Sequence, residues 1–510
     1  MFVAQKIFNE DLTGEQIECA TYCGNYLLLG TTKRIIVYDI RENKTLFERR
    51  ERIPTKKITA SIDTDKNIMY VAYANMRGLH LLIFNIREEK LELVDIKRHP
   101  YHEIHSPFET IPDKITLSLC PDGKPILILL WRSQQESLLF VYPFLQLFSG
   151  EKNTCMKYSV KSLIKDYFLV ESTCDIFLSL GSHFFKVLQD NRASYIYGFK
   201  SRDIDHEKPC FIDLGWKDRN LGEINILFVP ENLVGMFLQV TYYYYGGEYQ
   251  TYIWIKVGDK LFKEQTLHVE YAEYPYPKRI KYISRKDGLS FLALSEDEIK
   301  LFKIEGSDLK EYVSLPLLKF NISNPISAFW VDDRVFVVTP LNVYVINVEL
   351  TKAMLDIISR VKEELENARY RIEAEPEIIT SLASIMGTLS AQIELIRLIQ
   401  TLDKHELKEK QKELKLILKY LKQTRGLTSK ELKKLSTRDR EIAENILAIP
   451  QEFLTILSEN PDKVTSLTIK IVELVMKAVG AAANPLIFTA ISVVNSALWI
   501  MISKLKRGTT

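Results

Sequence analysis

The chain has almost no net charge: +2 over 510 residues, from 68 Lys and Arg against 66 Asp and Glu. A polyanion such as a nucleic acid is therefore not the expected partner of the whole molecule, although local patches can differ. Cysteine is scarce. Cys19, Cys23, Cys120, Cys155, Cys174 and Cys210 thin out over the first half and vanish from the second. Small secreted domains carry cysteine far more densely, so the expectation is a reducing, cytoplasmic compartment with these residues as small buried apolar groups. A zinc site needs a second ligand pair at suitable spacing, and Cys19 and Cys23 have none. The opening "MFVAQKIFNEDLTG" has no signal-peptide pattern, because Glu10 and Asp11 interrupt it early. Phosphate loop, nucleophile elbow and zincin helix are all missing. That favours a protein without enzymatic activity, and no cofactor is expected.

What the chain has is size, apolar content and repetition. At 510 residues and 46% hydrophobic it is a folded protein too long for one ordinary core. Its richness in Ile, Lys and Glu suits a thermophile. Short apolar segments return along the first 350 residues: "RIIVYDI" from Arg34, "HLLIFNI" from His80, "SLLFVYP" from Ser137, "ASYIYGF" from Ala193, "QTYIWIK" from Gln250, "EIKLFKI" from Glu298 and "NVYVINV" from Asn342. Each is β-branched or aromatic, a strand's length, and preceded by similar runs across turn residues such as "CPDGK" or "SRKDG". Periods of this order with several strands each predict propeller blades. The expected architecture is a seven-bladed β-propeller over 1–350, a helical bundle or coiled coil over 351–460, and amphipathic plus apolar helices over 461–510. The last unit offers only three strands, so the N-terminal strand in "FVAQKIF" is expected to complete it and remove an exposed edge. A pair of β-sandwiches is the competing architecture.

The first unit, "IECATYCGNYLLLGTTKRIIVYDI", resembles the opening of citron-homology propellers. It is also similar to WD40 repeats, with Tyr38-Asp39 where those often carry Trp-Asp. The other units lack the Gly-His and Trp-Asp signatures. The resemblance implies a propeller and, with it, the binding of protein partners.

After Leu350 the apolar period lengthens. Met354, Ile358, Val361, Leu365, Ala368 and Ile372 make one helical stripe, and Ile378 to Ile396 make another. Stripes of this kind need partners, in a bundle or a homo-oligomer. Between Lys404 and Arg440 stand 13 Lys and Arg against 5 Asp and Glu, a solvated face or an attraction to an anionic membrane. From Ala478 to Ser503 there is no charged side chain. A helix from Pro485 to Ser503 would span about 28 Å, near the hydrocarbon thickness. Leu486, Ile487, Phe488, Ile491, Val494, Leu498, Trp499 and Ile502 would face lipid, and Lys504, Lys506 and Arg507 would follow as a basic stop. Ser492 and Ser496 form a polar stripe, which a helix packed against its own copies also needs. Membrane contact and burial in a bundle both stay open.

Two local clusters complete the reading. "RHPYHEIH" brings together His99, His102 and His105, a weak metal candidate set against a plain polar loop. "VTYYYYGGEYQTYIWI" predicts a hairpin turning at Gly246-Gly247. Tyr243, Tyr245 and Tyr249 near the turn, with Tyr271, Tyr274 and Tyr276 beyond, are the candidate partner-binding residues; plain strand packing is the alternative. The expected function is a scaffold whose propeller captures a protein while the helical part oligomerises or attaches to a membrane. A viral attachment or virion component is a variant. A hydrolase with its site in the central channel is the alternative from another class.

Overall fold

The computed structural model describes residues 4–7, 14–87, 90–104, 110–133, 136–150, 155–160, 164, 166–170, 174–180, 183–187, 194–195, 210–213, 220–257, 266–268, 271–274, 279–349, 351–352, 437, 440–441 and 444. The chain divides into two compact units, Lys6–Val345 and Met1–Gln5 with Ile346–Thr510.

Among the described residues the strands pair into seven sheets. Sheet 1 holds Ile17–Cys23, Tyr26–Thr31, Arg34–Asp39 and Lys44–Arg50; sheet 2 holds Lys57–Asp63, Ile68–Asn75, Gly78–Arg87 and Lys90–His99. Both are antiparallel meanders in chain order. Sheets 3 to 7 begin with Lys114–Leu119, Asp166–Val170, Asn220–Phe228, Tyr282–Asp287 and Ser327–Val331.

The first strands make a ring. Ile17–Cys23 packs on Lys57–Asp63, which packs on Lys114–Leu119. Lys114 Nζ then donates to Asp166 (2.7 Å) and to the Tyr167 carbonyl (2.8 Å), joining sheet 3 to sheet 4. Asp166–Val170 meets Asn220–Phe228, which meets Tyr282–Asp287, which meets Ser327–Val331; that strand returns to Ile17–Cys23. The core lies between sheets, as alternating strands with two buried faces require. One cluster joins Leu28 and Val37 of sheet 1 to Met69, Val71 and Leu82 of sheet 2. Another joins Leu27, Leu29 and Ile36 of sheet 1 to Phe329, Phe336 and Val338 of sheet 7. A ring of sheets packed face to face around a set of first strands is a β-propeller.

Six of the seven predicted repeat segments fall on the third strand of a sheet, including Arg34–Asp39, Ser137–Pro143 and Glu298–Glu305. The fourth requires correction. Of "ASYIYGF" only Ser194–Tyr195 are among the described residues, and they run parallel to Met156–Val160 at the edge of sheet 3. The third strand of sheet 4 is His183–Val187. Sheets 3 and 4 each carry a fifth strand paired in parallel, so the even series of like units is not reproduced. The reason is local: a β-branched and aromatic run fits any half-buried pleated surface, and its place in a sheet is set by partners. In sheet 7 the strand Gln5–Lys6 lies beside Val343–Asn347. The Ile7 N–H donates to the Val343 carbonyl at 3.1 Å.

The reading of every cysteine as a free buried thiol is corrected at one pair. Cys120 and Cys174 form a disulfide with Cα atoms 5.6 Å apart, joining a turn of sheet 3 to a turn of sheet 4. Cys19, Cys23 and Cys155 are half-buried and stand outside that disulfide. Burial pushes the Cys19 thiol up to about 12, so it is an inert packing group.

The expected helical bundle of 351–460 lies outside the described residues, apart from Thr351, Lys352 and four isolated helical positions. The apolar tail, with Leu486 to Ile502 and the basic residues Lys504, Lys506 and Arg507, lies wholly outside them. Among the described residues no helix is long and apolar enough to cross a membrane.

Candidate functional site

The tyrosine segment is a long hairpin in sheet 5. Gly235–Tyr244 pairs with Gly247–Lys256 in continuous register from Gly235↔Lys256 to Tyr244↔Gly247. The turn is therefore Tyr245-Gly246, one residue earlier than expected. Both turn residues have positive φ, 46° and 77°. That is the two-residue geometry whose twist matches the flanking strands. A glycine suits it and a tyrosine does not. Gly247 makes room for the neighbouring ring: a Cβ there would stand 2.9 Å from Tyr249 Cε2.

At the tip, Tyr242 and Tyr249 are cross-strand partners with stacked rings, centroids 5.7 Å apart. Tyr244 meets Tyr245 edge-on at 4.3 Å and Tyr249 at 6.4 Å. Tyr245 is 91% exposed, Tyr249 48% and Tyr243 47%. Tyr245 and Tyr249, joined through Tyr244, form an aromatic patch with polar hydroxyls and little side-chain entropy to lose, while Tyr243, opposite Glu248, is exposed on the other face of the hairpin.

The register separates the other tyrosines. Strand Tyr271–Tyr274 pairs antiparallel with the hairpin, Tyr274 opposite Tyr252 and Tyr271 opposite Ile255. Tyr271 thus sits six positions along the strand from Tyr249, about 20 Å away, and Tyr274 three positions, about 10 Å. Tyr276 lies outside the described residues.

Among the described residues the histidine cluster does not make up a metal site. His99 ends the strand Lys90–His99 and is buried; His102 is exposed in a 3-10 turn, Tyr101–Ile104; His105 lies outside the described residues. Among the described residues no group of three His, Cys, Asp or Glu is placed to hold a metal. The segment is not a plain polar loop either. Tyr101 and Ile104 are buried, the Tyr101 hydroxyl donates to the Asn75 carbonyl (2.6 Å), and the Tyr142 hydroxyl donates to the Ile104 carbonyl (2.7 Å).

A second surface was not anticipated. A cleft of about 330 Å³ opens between sheets 1 and 2, lined by Arg49, Arg50, Glu51, Arg52, Ile53, Asn75, Arg77, His80, Ile96 and Arg98. Its wall in sheet 2 is a cross-strand row: Tyr73 pairs with His80 and His80 with Arg98. The Tyr73 and His80 rings stack at 4.5 Å, 12° from parallel. Glu51 accepts from the Tyr73 hydroxyl (2.8 Å) and from Arg49 Nε (2.9 Å). Gly78, at φ 147°, lets the turn pass the His99 carbonyl, which a Cβ would meet at 2.4 Å. The one sequence signal was "RRER" from Arg49, a local excess hidden by the even overall balance.

Burial, with Arg98, Arg49 and His99 nearby, holds the His80 imidazole down to about 4. Its folded-state value lies below the ordinary one, so the stability it contributes is complete above about pH 6.5. That stability is lost as pH falls from there toward 4. The loss at pH 4 is expected to be about 3 kcal/mol. Urea unfolding of wild type and His80→Gln across this range checks it; equal pH slopes would contradict the assignment.

No protein-family model matches the chain, and no curated protein is similar to it in sequence. Solved structures are similar to it in fold. One is the β-propeller domain of Cps50 (Swd1) from Myceliophteria thermophila, at 10% identity over 65% of this chain and 97% of that one, TM-score 0.40. Another is the WD40 domain of SCAP from fission yeast, at 11% over 65% and 81%, TM-score 0.37. A third is an enzyme, the hydrazine synthase of Kuenenia stuttgartiensis, at 10% over 64% and 92%, TM-score 0.41. At such identities and scores these likenesses carry no argument about activity. On the closed ring of sheets the chain is a β-propeller, the fold that its first unit's resemblance to WD40 repeats implies.

Proposed function

We propose that this protein is a non-enzymatic interaction scaffold whose propeller captures a protein partner with the tip of the Gly235–Lys256 hairpin. The observation that carries the reading is the exposure of Tyr243, Tyr245 and Tyr249 together at one turn. Aromatic side chains dominate interface energetics because they bury much area at small entropic cost. Tyr245 also holds an unfavourable left-handed backbone where glycine would be relaxed. A residue kept at such a position is better explained by its ring than by the turn.

In the same reading the seven sheets act as seven blades, with the N-terminal strand closing the last. The domain 1–350 is then followed by a helical region over 351–460 and a tail over 461–510. The helical part oligomerises or attaches to a membrane through the apolar run ending at Trp499 and Ile502. The cytoplasm is the proposed location, supported by sparse cysteine; the Cys120–Cys174 bond argues the other way.

Tyr245→Gly separates binding from folding. Glycine relaxes the turn, so the variant should be as stable as wild type or about 1 kcal/mol more so. Combined with Tyr249→Ser it should lose at least about tenfold in partner affinity, in line with removal of hot-spot rings. Affinity capture with both forms, alongside thermal melts, decides. Undiminished capture by a well-folded double variant removes the hairpin as the binding site.

A further inference from the structure

The cleft between sheets 1 and 2 has a composition the scaffold reading does not use. Five arginines line it, against the single carboxylate of Glu51. That carboxylate is already engaged by Arg49 and the Tyr73 hydroxyl. Arg50, Arg52, Arg77 and Arg98 are exposed and make no ion pair among the described residues. Among the described residues Arg98 donates to the Arg77 carbonyl alone, at 3.2 Å. Lysine outnumbers arginine along this chain, yet no lysine lines the cleft. Lysine would serve for charge alone. Arginine adds a rigid planar fork of donors that matches the oxygens of phosphate.

A rigid wall backs the arginines. His80 lines the cleft and is 6% exposed. The Asn75 Oδ1 accepts from the Arg77 N–H (2.9 Å), which turns the Asn75 amide N–H₂ toward His80 Nε2 at 3.3 Å. Nε2 is then the acceptor, and the imidazole proton sits on Nδ1. That Nδ1 is buried and has no hydrogen-bond partner among the described residues.

We propose that this cleft binds a small ligand carrying two or more phosphate groups, gripped by the guanidinium forks of Arg77 and Arg98 and by Arg50 and Arg52, against the wall that Tyr73 and His80 form. The volume fits: about 330 Å³ lies at the lower end of small-ligand pockets. So does the charge, because several uncompensated guanidinium groups at one mouth repel one another until a polyanion enters. The phosphates can belong to a soluble phosphate ester or to the headgroup of a phosphorylated lipid. Both present the same oxygens to the same forks.

The test uses the full chain and two probes. Inorganic triphosphate is titrated calorimetrically at constant ionic strength, with sulfate as the simple-anion control. Vesicles of phosphatidylcholine, with and without a phosphatidylinositol phosphate, are sedimented with the protein. Triphosphate is expected to bind at least about tenfold tighter than sulfate. The double variant Arg77→Lys/Arg98→Lys, which keeps both charges, is expected to lose at least about tenfold, because each fork contributes charge-assisted bonds an ammonium cannot place. Binding of triphosphate with no vesicle enrichment assigns a soluble ligand. Enrichment only on the phosphorylated vesicles, lost in the double variant, assigns a headgroup. Triphosphate and sulfate binding equally with no vesicle enrichment, or a folded lysine variant that binds like wild type in both arms, overturns the site.

Discussion

Deleting residues 1–10 lowers the stability of the propeller by about 4 kcal/mol. Ile7 is buried with Tyr38, Phe336 and Val343 in the cluster between sheets 1 and 7. Burying an isoleucine side chain contributes about 1.5–3 kcal/mol. Its backbone does more than pass by. The Ile7 N–H donates to the Val343 carbonyl, and the Ile7 carbonyl accepts from the buried Tyr38 hydroxyl at 3.1 Å. The Val343 carbonyl, left without that donor, adds about 1 kcal/mol or more, whereas the Tyr38 hydroxyl keeps Asn43 Oδ1 as a partner. The deletion also bares the edge of Val343–Asn347, and open edges template aggregation. Ile7→Ala alone should cost about 2–3 kcal/mol, in the range of buried large-to-small changes. Urea midpoints of full-length, truncated and Ile7→Ala proteins decide it. Equal midpoints would mean that the N-terminal segment does not close the ring.

Breaking the Cys120–Cys174 bond is expected to cost a similar amount by a different route. The bond closes a loop across a sequence separation of 54 residues. In the chain-entropy account a loop of that size restricts the unfolded ensemble by about 4 kcal/mol. Cys120→Ala/Cys174→Ala should therefore unfold at lower urea in oxidising buffer. Wild type in reducing buffer should fall to meet it. A wild-type midpoint that ignores reductant would show that the thiols stay apart in solution, and would favour the reducing cytoplasm inferred from cysteine scarcity. A large shift would favour an oxidising compartment.

The propeller was legible because its signal is local and repeated. Strand-length β-branched and aromatic runs separated by turns need only neighbours like themselves, and six of seven segments took the same place in their sheets. The hairpin at Tyr245 was legible within one residue, because a Gly-rich turn between alternating strands has few solutions. The fourth segment misled, since "ASYIYGF" reads as a strand wherever it is put. Only competition for edges assigns Ser194–Tyr195 to a parallel pairing and His183–Val187 to the meander.

Tertiary structure alone decided the rest, for one physical reason: these features are made by residues far apart in sequence, and composition records no distance. The pairing of Cys120 with Cys174 depends on two turns meeting where sheets 3 and 4 adjoin. The arginine cleft gathers Arg49 to Arg52 from the end of one sheet, Arg77 from a turn and Arg98 from an outer strand. Along the chain their charges are cancelled by nearby Asp and Glu, giving +2 overall. In the folded ring Glu51 is the one acid that lines the cleft among the described residues, and the guanidinium groups share one opening. The sequence determined that there would be a ring of twisted sheets with apolar faces between them. Which side chains those sheets bring to a common mouth was decided by register and packing, where a shift of one residue turns every side chain to the other face.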